Sequence, residues 1–107
     1  MAQTLSTVAG DQSADSFKTP PHSVEAEQSV LGGLLLDNEA WDKVADVINE
    51  EDFYRLDHRL IYRHICKLVE NNKPADVVTV AESLENSADL KNVGGLTYVG
   101  TMAQNTP

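Results

Sequence analysis

The chain has 107 residues, 41% of them apolar, and a net charge of −9. That length suits one domain with a modest core, and its acidity argues against gripping a nucleic-acid backbone, which needs a positive field. The single cysteine, Cys66, excludes an intramolecular disulfide, the longest apolar run (Val30 to Leu36) is too short for a bilayer, and the N-terminus lacks a signal-peptide pattern, so a soluble protein of a reducing cytoplasm is expected.

Residues 1–19 are rich in Ser, Thr, Gln, Ala and Asp without apolar periodicity, which reads as a disordered tail. Pro20-Pro21 closes it. Ser23 is placed as the N-cap of a first helix, with Glu25 and Glu27 in the first turn, where the helix dipole favours acids. Glu27, Val30, Leu31, Leu34 and Leu35 share one helical face, with Glu27 as its polar edge. Gly32 and Gly33 lie inside this helix, where each costs about 1 kcal/mol relative to Ala. Close approach of another backbone is the expected compensation.

Asp37-Asn38 breaks the pattern, and a second helix is expected from about Glu39 to Asn49, with Trp41, Val44, Ala45 and Ile48 on one face. Beyond the acidic link Glu50-Glu51-Asp52, Phe53 and Tyr54 are expected to anchor a turn to the core. Asp57 reads as the cap of a third helix, roughly His58 to Asn71. Its buried stripe is Ile61, Ile65, Leu68 and Val69, with Tyr62 and Cys66 at the edge. Pro74 stops it. Val77-Val78 reads as a short extended piece, and Thr79-Val80-Ala81-Glu82 as a capping box opening a short helix with Val80, Ala81 and Leu84 inward. Leu90 is expected to pack inward from a polar connection. Gly94-Gly95 marks a tight turn, and a last helix, about Leu96 to Gln104, carries Leu96, Val99, Met102 and Ala103 on one side. No segment of useful length alternates with period two. The predicted fold is all-α, a compact globule of five to six short helices.

Little in the chain points to chemistry. Gly95 to Gly100 has the glycine spacing of a phosphate-binding loop, but Thr101 and Met102 stand where Lys and a hydroxyl are required. His58, His64 and Cys66 share one helix without the donor spacing of a metal site; exposed or edge histidines and a packed cysteine are expected. No catalytic residue, cofactor or metal is therefore assigned. Arg55, Arg59, Arg63 and Lys67 recur every fourth residue and hold four of the eight cationic residues. They form a possible basic contact stripe for an acidic partner or a single strand. Aromatic residues do not clearly interleave with it, as single-strand binders usually need, and a solvated face paired with local carboxylates is favoured.

The run Pro20-Pro21-His22-Ser23-Val24-Glu25-Ala26-Glu27-Gln28-Ser29-Val30-Leu31-Gly32-Gly33 resembles the opening of the N-terminal domain of the DnaB family of bacterial replicative DNA helicases. The likeness continues through Leu36-Asp37-Asn38, Trp41-Asp42, Asp52-Phe53-Tyr54, His58, Pro74, the Thr79 to Leu84 segment, Val93-Gly94-Gly95, Tyr98 and Asn105-Thr106-Pro107. It thus covers residues 20–107. The resemblance implies a helical domain followed, in the family, by a helical hairpin, a linker and a RecA-like motor that uses ATP and Mg; the chain is expected to stop before these. It also implies a non-catalytic role in the collar of a hexameric ring, with other helicase subunits and the C-terminal domain of primase as partners, and no strong nucleic-acid or membrane binding. Family positions implicated in primase contact match Glu25 and Tyr98. On the residues alone, Glu25 serves the helix dipole and Tyr98 is an edge aromatic. The alternative is the helicase-binding domain of primase, which shares the fold; the Pro20 to Gly33 signature favours the helicase.

Overall fold

A computed structural model describes residues 23–106; the tail expected over residues 1–19 lies outside the described residues. Among those described there are five α-helices and no strand: α1 (Val24–Leu36), α2 (Ala40–Val44), α3 (Leu56–Glu70), α4 (Val77–Asn86) and α5 (Gly95–Gln104). Single 3-10 turns at Glu50–Asp52 and Lys91–Val93 lead into α3 and α5. No helix among the described residues is long and apolar enough to cross a membrane.

Helix α1 starts where its sequence directs, with the Ser23 hydroxyl accepting from the Ala26 amide at 3.1 Å. It ends at Asp37, and Asn38 fixes that end to a distant loop. The Asn38 side-chain amide donates to the carbonyls of Leu34 and Ala75, each at 2.8 Å, and its Oδ1 accepts from the Ala75 amide. These bonds satisfy backbone groups at Ala75, which is fully buried.

Four helices close a ring of contacts: α1 packs on α3 and α5, and α4 packs on the same two. Leu31, Leu34, Ile61, Ile65, Val80, Leu84, Val93 and Val99 fill the centre and are essentially inaccessible to water. Short helices without an independent reason to persist are held in this way, by burying one face against neighbours. Gly32 permits the α1–α5 contact. A Cβ there would collide with the Met102 carbonyl oxygen and the Thr106 hydroxyl. Gly33 faces open space, so the close approach expected for both glycines belongs to Gly32 alone.

Several local expectations are corrected. Helix α2 is one turn rather than three; Trp41, Val44 and Ile48 still lie against the core, but no residue of α2 is fully buried, so little packing sustains a longer helix. Phe53 is buried, whereas Tyr54 is 51% exposed. The α3 N-cap position is Arg55 rather than Asp57, which sits within the first turn. Its buried stripe runs through His58, Ile61, Tyr62, His64 and Ile65, with Leu68 and Val69 only half-buried. Val77 and Val78 open α4 instead of forming an extended piece. Asp76 is the cap: its carboxylate accepts from the Thr79 amide at 2.9 Å, and the Thr79 hydroxyl accepts from the Asp76 amide at 2.8 Å. Val99, Met102 and Ala103 are buried on α5, but Leu96 is 55% exposed.

Candidate functional site

Three helices bring polar side chains together inside an otherwise apolar contact. Glu27 comes from the first turns of α1, His58 from the start of α3 and Tyr98 from the middle of α5. His58 is fully buried and Glu27 nearly so. The Glu27 Oε1 lies 2.7 Å from His58 Nδ1, and His58 Nε2 lies 2.7 Å from the Tyr98 hydroxyl. The Gln28 side-chain amide donates to that hydroxyl at 3.0 Å. The His58 and Tyr98 ring planes differ by only 6°.

Glu27 is held as an acceptor. Burial works against its ionisation, but the Tyr54 amide at 2.6 Å, His58 and the Arg55 amide outweigh that cost, so its carboxyl lies below the usual carboxylate range. An ionised carboxylate accepts only, so His58 presents Nδ1–H to it. A neutral His58 then accepts the Tyr98 O–H at Nε2. With His58 neutral, the relay runs in one direction, from Gln28 through Tyr98 to His58 to Glu27, with each donor matched by an acceptor.

The rim of the network carries charge. The Arg55 guanidinium stands 5.6 Å from the Tyr98 ring centroid and pairs with Asp57 through Nε at 3.0 Å and a terminal nitrogen at 2.5 Å. Asp57 also accepts from the His58 amide. Beyond Tyr98, a groove of about 300 Å³ runs between α1 and α5, lined by Glu25, Gln28, Ser29, Thr101, Met102, Asn105 and Thr106. Gln28 belongs to both features. Glu25 lines the groove with Gln28, and Gln28 bonds to Tyr98, so both lie along the same α1–α5 edge.

The basic stripe is less unified. Arg55 caps the buried network, Arg59 donates to the Phe53 carbonyl at 2.7 Å, and Arg63 pairs with Glu50. Lys67 is exposed. Three of the four cations thus bind groups within their own fold. Elsewhere on α3, His64 shares a 2.7 Å hydrogen bond with Ser83, and the Trp41 indole N–H lies 3.2 Å from the Cys66 sulfur. Both histidines are buried, a correction to the exposed or edge positions expected for them. No group of three His, Cys, Asp or Glu side chains that could hold a metal occurs among the described residues.

The sequence did hold a signal for the network. Glu27 falls on the apolar stripe of α1, and His58 lies at i−3, i−4 and i−7 from Ile61, Tyr62 and Ile65. A carboxylate and an imidazole on two core-facing stripes call for each other, because each needs a buried partner.

The DnaB-like helicase N terminal domain family matches residues 19–107. The chain belongs to this family. It is 49% identical over 91 residues to the replicative DNA helicase DnaB of Buchnera aphidicola subsp. Acyrthosiphon pisum, a match covering 85% of the chain and 20% of that helicase. It is 37% identical over 107 residues to replicative DNA helicase DnaB of Haemophilus influenzae, covering all of the chain and 23% of the relative. The crystal structure of the N-terminal domain of DnaB helicase from Mycobacterium tuberculosis superposes with a TM-score of 0.80 at 40% identity, covering 83% of the chain and 64% of that structure. The family match settles the helicase reading over the primase one. The chain spans about a fifth of the length of the helicases it matches.

Proposed function

We propose that this domain is a non-catalytic scaffold and docking module of a hexameric replicative DNA helicase in the bacterial cytoplasm. In this reading residues 20–107 contribute to the N-terminal collar of the ring and recruit primase through its C-terminal domain. Unwinding is performed by a motor elsewhere in the full-length protein, which binds ATP and Mg, and this domain takes no nucleotide. The observation that supports it is the α1–α5 edge. Glu25 and Gln28 line one groove there, and Gln28 bonds directly to Tyr98, so the two family contact positions form one surface. The net charge of −9 suits a collar that surrounds single-stranded DNA without trapping it.

Calorimetric titration of the chain with the cognate primase C-terminal domain tests this. Saturable binding is expected, weakened at least about tenfold by Glu25→Ala and by Tyr98→Ala, a loss of about 1.4 kcal/mol, with helicity checked by circular dichroism. Wild-type affinity in both variants would reject the edge as the docking site. No binding by the chain when the full-length helicase binds would move the site outside this domain.

A further inference from the structure

Glu27, His58, Tyr98 and Gln28 link a buried titratable ring to the wall of the groove. We propose that this relay is proton-responsive: the protonation state of His58 sets which end of the Gln28 amide faces the α1–α5 groove, and so makes docking there pH-dependent. The inference rests on the docking role proposed for that edge.

The argument follows from donor and acceptor counting. With His58 neutral, Nδ1–H donates to Glu27 and Nε2 accepts the Tyr98 hydrogen. The Tyr98 oxygen then accepts from the Gln28 side-chain nitrogen, so the carbonyl end of an amide whose residue lines the groove points away from Tyr98. A solvent proton taken up at Nε2 turns that nitrogen into a donor. The Tyr98 oxygen must now accept from His58, and its hydrogen needs a new acceptor. Gln28 supplies one by turning its amide, with Oε1 toward Tyr98 and the amide nitrogen toward the groove beside Glu25. One proton in the core thus reverses the polarity of a surface group, while every member keeps a partner.

The surroundings tolerate both states. From α1, Glu27 faces the ring as a carboxylate and forms an ion pair with it once it is protonated. Arg55, in the segment before α3, lies over Tyr98 but is neutralised by Asp57 of α3. Tyr98 is the titratable group that α5 supplies. Phe53 meets the ring edge-on and carries no charge. Glu27 thus gives the His58 ring a partner in either of its protonation states, as a switch requires.

Nuclear magnetic resonance on the whole chain decides the matter. A pH series from about 5 to about 8, the range in which histidines as a class change charge, follows the protonation of the His58 ring by its nitrogen resonances. The Gln28 side-chain amide and Tyr98 ring resonances should shift with the same midpoint. Tyr98→Phe, which removes only the hydroxyl, should uncouple the Gln28 amide resonances from those of the His58 ring. Gln28 and Tyr98 resonances that stay flat through the His58 titration would overturn the proposal, as would a His58 ring that never changes state across that range. Titration with the primase C-terminal domain at both ends of the range adds the functional arm: a several-fold change in affinity in the wild type, flattened in Tyr98→Phe. No binding at any pH would reject the docking role alone, with the resonance data still deciding the relay.

Discussion

Gly32 and Gly33 look alike in the sequence and differ in the fold. Gly32 faces the Met102 carbonyl and Thr106, so Gly32→Ala forces the α1–α5 contact apart and should destabilise the domain by about 2 kcal/mol or more. Gly33 has nothing nearby, so Gly33→Ala removes only the flexibility of a mid-helix glycine and should stabilise by up to about 1 kcal/mol. Urea unfolding of the two variants should therefore move in opposite directions, and a loss of stability in both would contradict the geometry. Glu27 and His58 present the same problem in polar form. Helical spacing puts Glu27 at the polar edge of a core-facing stripe and allows His58 on another, but spacing cannot say which residues of a distant helix meet them. Tyr98 was legible only as an edge aromatic, because its partners His58 and Gln28 lie 40 and 70 residues away.

The start of α4 shows how an element boundary is decided. Thr79 followed by Glu82 has the form of a capping box, but an equally good pair, Asp76 and Thr79, lies one turn earlier. The earlier start sets Val77 and Val80 on the core side of a longer helix, with Val77 half-buried and Val80 fully so. Packing therefore favours the longer helix. Asp76→Ala is expected to cost about 1 kcal/mol, and Thr79→Val less, since Asp76 retains its bond to the Thr79 amide. Thermal melts followed by circular dichroism would reverse that order if Thr79 were the cap. Helix α2 is the converse case. Its apolar face was legible, but Val47 is largely exposed and Ile48 alone of the second half packs against the core, so the helix ends at Val44.

At the scale of the whole molecule, two buried titratable groups tie stability to pH. Burial, then the positive charge of Lys67, pushes the His64 ring below its ordinary value of 6.5. The unfolded chain thus binds a proton there more readily, and stability should decline as pH falls through about 6.5. Glu27 is likewise depressed below its ordinary 4.5, so its contribution is present above that value and is lost as pH falls further. Urea unfolding from neutral to acid pH should show both declines. Glu27→Gln should lower stability at neutral pH and flatten the acid decline; an unchanged acid slope would show that Glu27 does not drive it. The all-helical class and most of the core were set by the sequence itself, because a 3.6-residue apolar period and local caps act over a few residues at a time. The family, too, was readable from residue identities in order. Only the tertiary structure decided that Gly32 alone is a contact, that α4 opens at Asp76, and that Glu27, His58, Tyr98 and Gln28 join beside the groove. Those outcomes depend on which faces of α1, α3, α4 and α5 meet, and local periodicity carries no record of that pairing.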